Sequence, residues 1–277
     1  MAKRKYEWDA KKIERYIKQG RGQKEGENYK PWLLAQDVPS IGRDGQREGW
    51  KTGRNHHLLS DLESDYFYLL EWSSTVTDIR EQFPLLPIEE TVSIAEGLGI
   101  KHPNDNKTKE IVVMTTDFII NVDSKEFVRT LKYAGDLENA RIIEKLEIER
   151  EYWQRRNIDW GIVTDKEIPK ILCENVKWVR KEYHNSDVSK LGSFIVESIE
   201  KIVYQLIQDE ITPLSIATSH TDDRLGLEPG TSLAMIRHFI ARKRWIVNMN
   251  EKIVPSLPLK GVSISTNSDY KKVEGYQ

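Results

Sequence analysis

The sequence MTTDFIINVDSKEFVRTLKY, residues 114–133, decides the fold of the chain around it. Both halves of this stretch are rich in β-branched and aromatic residues, and Asp123-Ser124 between them favours a tight turn. The pattern predicts two antiparallel strands joined by a two-residue loop. In that register Asp117 faces Thr130, and Lys132 lies diagonally beside Asp117 on the same face.

An aspartate and a lysine held side by side on a sheet suit metal-assisted attack on a phosphodiester. The aspartate holds the cation, and the lysine orients and polarises the attacking water. Such a site needs a further carboxylate, and Glu63 is the candidate. Glu63 lies in the first helix of a predicted series of elements over residues 58–164: helix, three strands, helix and strand. This order predicts a three-layer α/β domain with a small mixed sheet.

Each of these residues also has a structural explanation. Ser60-Asp-Leu-Glu63 matches a capping box, in which Glu63 accepts a hydrogen bond from the Ser60 backbone N–H. Asp117 and Lys132 could equally be polar residues on the solvent face of strands. With 44 acidic residues in the chain, residue types alone decide little, and the order of elements is the stronger argument.

The composition excludes several classes of protein. Hydrophobic content is 38% and charged content 31% over 277 residues, and no apolar run has membrane-spanning length, which predicts a cytoplasmic protein without membrane contact. Cys173 is the only cysteine, so neither a disulfide framework nor a zinc site is expected. The sequence contains no phosphate-binding loop of the Walker type.

The charge is unevenly distributed. Residues 1–60 contain 14 Lys and Arg against 8 Asp and Glu, whereas the whole chain has a net charge of -2. A basic leading segment favours a polyanion on that side, although such segments are often only solvated. We expect four residues of this segment to contact DNA phosphates: Arg43, Arg47, Lys51 and Arg54.

The second half of the chain has a different pattern. A boundary near residue 166 divides a catalytic domain, 1–166, from a mainly helical domain, 167–277. There we predict helices over 168–183 and 193–209, a polar loop, a basic helix over 233–244 and a strand from Trp245. This order suggests a winged helix-turn-helix, which either binds DNA through its third helix or serves as a protein docking surface.

Several motifs of the first 180 residues resemble one family. The chain looks similar to the TnsA family, the endonuclease subunit of heteromeric cut-and-paste transposons. The residues that support this resemblance are Gly20–Gln23, Pro31–Leu33, Val38–Ser40, Lys51–Arg54, His56–Glu63, Glu71-Trp72, Asp78–Pro87, Lys101–Pro103, Thr116–Phe118, the region of Lys132, Glu144–Glu147, Tyr152–Gln154 and Thr164–Ile168.

The resemblance implies a restriction-endonuclease-like fold and a bacterial, nucleoid-associated enzyme. It implies Mg²⁺-dependent cleavage of double-stranded DNA at the 5′ ends of a transposon, with Mn²⁺ as a substitute. A TnsB-type recombinase would cut the 3′ ends, and a TnsC-type AAA+ ATPase would act through the C-terminal domain. By position, Glu63 and Asp117 would be the metal-binding carboxylates and Lys132 the catalytic lysine.

The sequence departs from the family at Thr130, where an acid or Gln is usual. A hydroxyl binds a metal-held water better than it binds a metal, so one well-held Mg²⁺ with a weaker second position is expected, and the Leu131 carbonyl is a candidate extra ligand. The alternative function is a non-catalytic adaptor that docks DNA or the ATPase. Intact Glu63, Asp117 and Lys132 argue against it.

Overall fold

The computed structural model describes residues 10–38, 45–185 and 190–265. The chain forms two compact units, divided between Ile168 and Pro169. No helix in these described ranges is both long enough and apolar enough to cross a membrane.

The N-terminal unit contains four helices and six strands within the described ranges. The helices are α1 (Ala10–Lys18), α2 (Asp61–Trp72), α3 (Ile88–Gly97) and α4 (Ala140–Gln154). The strands are β1 (Gln46–Glu48), β2 (Asn55–His57), β3 (Val76–Pro84), β4 (Thr115–Val122), β5 (Lys125–Lys132) and β6 (Asp159–Thr164). The predicted order of helix, three strands, helix and strand is confirmed, with α3 between β3 and β4.

The main sheet has the order β3-β4-β5-β6 and is mixed, as predicted. The first three strands are antiparallel, and β6 runs parallel to β5. The predicted hairpin register is confirmed, because Val122 pairs with Lys125 and Phe118 with Arg129. Asp123 and Ser124 both have positive φ angles, 45° and 68°, the geometry that matches the twist of two paired strands.

Helices cover both faces of this sheet. On one face Phe118 contacts Tyr66 of α2, with ring centroids 5.6 Å apart. On the other face Ile119 and Val128 pack against Ile148 of α4 in one buried cluster. Each such side chain contributes roughly 1.5–3 kcal/mol when it leaves water, so both sides of the sheet are fixed by burial. The functional side chains project from this rigid frame.

A two-stranded ribbon precedes α2. The sequence predicts an irregular arm over residues 31–50, and this prediction is wrong for its last part, where β1 pairs antiparallel with β2. Glu81 of β3 anchors the ribbon, since its carboxylate accepts bonds from the His57 backbone N–H (2.9 Å) and the Arg54 guanidinium (2.6 Å). The partners lie more than twenty residues apart, so a local pattern could not indicate the ribbon.

The C-terminal unit is mainly helical within residues 169–185 and 190–265. Its elements are α5 (Lys170–Val179), α6 (Ser193–Ile207), α7 (Leu214–Leu225), α8 (Thr231–Ala241), β7 (Trp245–Ile246) and β8 (Ser263–Ile264). The strands β7 and β8 pair antiparallel but are separated by residues 247–262, so they do not form a tight hairpin.

The predicted polar loop between the second and third helices of this unit is wrong, because α7 occupies it. The hydroxyl groups of Thr218 and Thr221 donate to the carbonyls of Leu214 and Ala217 one turn earlier, at 2.9 and 2.8 Å. Their polarity is therefore satisfied inside the helix, and both threonines are buried. Gly226, with φ +63°, ends the helix in the left-handed conformation.

Candidate active site

A cavity of about 460 Å³ opens at the end of the hairpin strands where Asp117 and Lys132 lie. Asp117 belongs to β4, Thr130 and Lys132 to β5, and Glu149 to α4, and all four line the cavity. Glu63 does not line it, but its carboxylate lies next to this group, in the first turn of α2. The structure thus brings all three predicted catalytic side chains together.

Asp117 and Lys132 form the centre of the site. The Leu131 backbone N–H donates to Asp117 Oδ2 at 2.7 Å, and Lys132 Nζ lies 3.5 Å from the same oxygen. Burial alone would lower the pKa of Lys132, but the charges of Asp117 and Glu149 outweigh it and raise that pKa. Lys132 is therefore a cation at neutral pH, suited to orienting and polarising rather than to accepting a proton.

Glu63 is buried, with 6% of its surface exposed. Its carboxylate accepts hydrogen bonds from the Leu59 N–H (2.9 Å) and the Ser60 hydroxyl (3.0 Å). Ser60 caps α2 as the sequence predicts, but Glu63 bonds the Leu59 N–H and not the predicted Ser60 N–H. Burial and the charge of Asp117 raise the pKa of Glu63 to about 8. Capping and membership of the acidic site are thus compatible.

Gln82 links the two predicted metal ligands. It lies opposite Asp117 in the β3–β4 register and is buried. Its side-chain amide donates to Glu63 Oε2 at 3.3 Å and to Asp117 Oδ1 at 3.4 Å, and its own oxygen accepts from Thr115. The backbone φ of Gln82 is 50°, a left-handed conformation that costs roughly 1–3 kcal/mol for a residue other than glycine. The surrounding bonds compensate for this strain.

Glu149 is an acidic residue of the site that the sequence analysis missed. It is buried and accepts hydrogen bonds from the Thr116 and Thr130 hydroxyls and from Trp160 Nε1. Burial and the charge of Asp117 raise its pKa to about 7. The signal was present in the sequence, because position 149 falls on the apolar stripe of α4 that Leu146 and Trp153 define. An acid on a buried stripe indicates a functional candidate.

The carboxylates of this site are of the ligand type that a divalent cation prefers. Glu63, Asp117 and Glu149 place three acidic groups beside one lysine, and carboxylate oxygens are the ligands that Mg²⁺ prefers. Among the described residues, however, no three or more His, Cys, Asp or Glu side chains lie close enough together to hold a metal ion. A bound Mg²⁺ would complete its coordination with water and backbone oxygens, as it usually does.

The two weaker ligand predictions have internal partners in the structure. The Thr130 hydroxyl donates to Glu149, and the Leu131 carbonyl accepts a hydrogen bond from Lys132 Nζ at 2.6 Å. Either oxygen would have to share or exchange its present partner to act on a metal, so both remain predictions.

Comparison with known proteins gives three matches. A sequence model described as "TnsA-like endonuclease N terminal" matches residues 73–165, and one described as "TnsA endonuclease C terminal" matches residues 167–249. The chain is 40% identical over 244 residues to "Transposon Tn7 transposition protein TnsA" of Escherichia coli, which covers 87% of each sequence. The chain belongs to the TnsA family.

The TnsA-like N-terminal match includes Asp117, Lys132 and Glu149 but begins after Glu63. The place of Glu63 in the site therefore rests on its own geometry, above all on its proximity to Asp117 and on the shared amide of Gln82.

The residues predicted to contact DNA have partners within the protein wherever the structure describes them. Arg43 lies outside the described residues. Arg47 donates to the Tyr68 hydroxyl, and Lys51 to the Ser73 carbonyl. Arg54 is 8% exposed in its side chain and paired with the fully buried Glu81, so it is a structural cation of the ribbon. The DNA contacts of Arg47, Lys51 and Arg54 remain predictions.

Proposed function

We propose that this member of the TnsA family is a Mg²⁺-dependent DNA endonuclease that cuts the 5′ ends of a transposon. The observation that supports it best is the Asp117–Lys132 pair in a cleft that also contains buried Glu149, with Glu63 behind it. Three acids beside one lysine suit a metal-assisted phosphodiester hydrolysis of the restriction-enzyme type. The mixed sheet with helices on both faces agrees with a restriction-endonuclease-like fold.

In this proposal each side chain has a separate task. Asp117 and Glu63 hold the cation, for which Mn²⁺ substitutes, and the Leu131 N–H fixes the orientation of Asp117. Bound Mg²⁺ supplies Lewis acidity and a nucleophilic water. Lys132 orients and polarises the attacking water. Glu149 holds the Thr130 hydroxyl and adds negative charge to the cleft.

We propose that two partner proteins complete the reaction. A recombinase of the DDE type, TnsB-like, would cut the 3′ ends, and a TnsC-like AAA+ ATPase would license both cuts. Excision by a double-strand break requires both strands to be cut, and the single acidic site of the described residues suits one of them. The C-terminal unit would contact the ATPase.

The C-terminal unit supports docking of a protein more than base reading by its third helix. α6, α7 and α8 followed by β7 and β8 have the element order of a winged helix. However, the basic residues at α8 have internal partners: Arg237 pairs with Glu182 at 3.1 Å, and Arg244 pairs with Glu200. His238 is buried and bonds the Glu182 carbonyl. Arg237 and Arg244 are therefore engaged within the fold.

Strand-specific cleavage of a transposon-end duplex tests the function. The assay contains the recombinase, the ATPase and Mg²⁺, and compares wild type with Asp117→Ala and with Asp159→Ala, an exposed aspartate of β6. We expect Asp117→Ala to lose 5′ cuts and keep 3′ cuts, and Asp159→Ala to keep both. If 5′ cuts survive in Asp117→Ala, the proposed site is wrong and the adaptor function replaces it.

A further inference from the structure

A second cavity of about 550 Å³ lies in the N-terminal unit, outside the catalytic cleft. Four cationic side chains line it: Lys18, Arg21, Lys30 and Arg54. No Asp or Glu is among the described residues that line it. Its surface therefore offers hydrogen-bond donors with positive charge, the chemistry that an anion requires.

The two arginines of this basic cavity are held in position from outside it. Arg21 donates to Asp37 at 2.6 Å and to the Trp32 carbonyl, and Arg54 is fixed by Glu81. Neither Asp37 nor Glu81 lines the cavity. The carboxylates thus fix the arginines without facing an incoming anion. Guanidinium groups held in this way lose little side-chain entropy when they bind a phosphate.

The two lysines are more loosely engaged. Lys18 pairs with Glu14 at 2.7 Å, but both side chains are well over half exposed, and such pairs contribute little. Lys30 donates to the Gln19 carbonyl at 3.3 Å. Both ammonium groups are available to a stronger anionic partner at little cost to the fold.

His57 adds a donor. Its Nδ1 accepts a hydrogen bond from the Ala35 backbone N–H, so the ring proton of the neutral imidazole lies on Nε2. Burial lowers the pKa of His57, which keeps the ring neutral at neutral pH. His57 lines the basic cavity.

The segment 33–38 contributes residues to both cavities. Leu33, Asp37 and Val38 line the catalytic cleft, and Leu34 lines the basic cavity. A duplex carries a phosphate charge about every 1.7 Å along its axis, so DNA with one phosphate at Lys132 has others close by.

We propose that the basic cavity binds a backbone phosphate of the DNA whose scissile phosphate occupies the catalytic cleft. This inference rests on the proposed nuclease function. It adds Lys18, Arg21 and Lys30 to the predicted phosphate contacts of the basic N-terminal segment. Arg54 contributes through its fixed guanidinium.

The salt dependence of DNA binding tests this proposal. The full-length protein binds a labelled duplex without Mg²⁺, so that no cleavage occurs. The cavity variant is Lys18→Gln with Lys30→Gln. The control is Lys125→Gln with Lys201→Gln, two exposed lysines that line neither cavity and remove the same charge. We expect the slope of log K against log salt to fall by about 0.9 in the cavity variant, the value for one lost phosphate contact, and to stay unchanged in the control.

A slope that is equal in wild type and the cavity variant overturns the proposal, as does a wild type that binds no duplex. A second arm titrates inorganic phosphate alone and follows the His57 ring by NMR. Saturation at micromolar phosphate would assign the cavity to a free phosphate compound and overturn its assignment to DNA. The 5′-cleavage assay distinguishes this inference from the nuclease function. If the cavity variant cuts normally and its salt slope is unchanged, only this inference is refuted. If Asp117→Ala still cuts the 5′ strand, the nuclease function itself is refuted.

Discussion

Two sets of buried carboxylates in the N-terminal unit have pKa values shifted in opposite directions. Burial alone would raise the pKa of Glu81, but the His56 ring and the Arg54 guanidinium more than offset it and hold that pKa far below its usual range. In the cleft, burial and the charge of Asp117 raise the pKa of Glu63 to about 8 and of Glu149 to about 7. The same residue type is thus charged and paired at one place and short of cations at the other.

The difference separates a structural acid from functional ones. Glu81 is compensated inside the protein, so it needs nothing from outside and pins the ribbon to the sheet. In the cleft Lys132 pairs with Asp117, and the raised pKa values of Glu63 and Glu149 indicate that full ionisation there would need further positive charge. Unmet negative charge in an open cleft is the physical reason to expect a metal.

The largest expected effect on stability comes from Glu81→Gln, which we compare with the same substitution at Glu63. Glu81→Gln leaves Arg54 buried without its counter-charge, so we expect the N-terminal unit to lose about 3–5 kcal/mol of stability at pH 7. Glu63→Gln replaces a largely protonated carboxyl with a neutral amide and should cause no loss of stability at pH 7 in metal-free buffer, because it also removes a carboxyl that ionises on unfolding. Urea unfolding measures both. Equal losses at the two sites would remove the contrast.

The pH dependence of stability sharpens the contrast. The folded pKa values of Glu63 and Glu149 lie above their unfolded values, so the folded state binds more protons between about pH 5 and pH 8. Metal-free stability should therefore fall as pH rises through this window, by up to about 1.4 kcal/mol per pH unit for each carboxyl. Glu63→Gln should flatten the upper part, and Mg²⁺ should raise stability most at the alkaline end. A stability that rises through the window would contradict both shifts.

A smaller effect is expected at Gln82, whose amide bridges Glu63 and Asp117. Gln82→Met keeps the volume but removes both hydrogen bonds, so we expect the Mg²⁺ requirement of cleavage to rise about tenfold, or about 1.4 kcal/mol. Direct Mn²⁺ binding, followed by electron paramagnetic resonance, should weaken in parallel. Gln154→Met, at an exposed amide of α4, is the matched control. Unchanged Mn²⁺ affinity in Gln82→Met would leave the amide without a role in metal binding.

The smallest loss of stability is expected where an ion pair is exposed to solvent. Arg155 pairs with Glu151 on the surface of α4 at 3.0 Å. Arg155→Ala should cost less than about 0.5 kcal/mol, because water screens the pair. A loss near that of Glu81→Gln would mean that ion pairs in this unit gain nothing from burial.

The sequence predicted best what local spacing determines. The hairpin register places Asp117 opposite Thr130 and beside Lys132, and all three lie within a few residues of the turn that fixes them. Ser60 as a helix cap follows from spacing as well. Strand propensity and the alternation of side chains are local properties of the sequence, so these features could be predicted without knowledge of tertiary contacts.

What the sequence did not predict depends on distant partners. Arg54 looks like a free surface cation until Glu81, 27 residues later, is found beside it. Glu149 hides among the apolar residues of α4, and Thr116 and Thr130, which make its burial tolerable, lie on two different strands. The threonines of α7 look like loop residues until their hydroxyls are seen to bond the helix backbone.

The parallel pairing of β5 with β6 has a consequence for the order of assembly. A hairpin closes by local contacts, whereas a parallel pair waits for its crossover, here α4, to dock. Asp117 and Lys132 therefore meet early, and Glu149 joins them only when the crossover is complete. We expect amide protection in pulsed hydrogen exchange to appear in β4 and β5 before β6, and simultaneous protection would exclude this order. The catalytic cleft would then be complete only after the last strand of the sheet has closed.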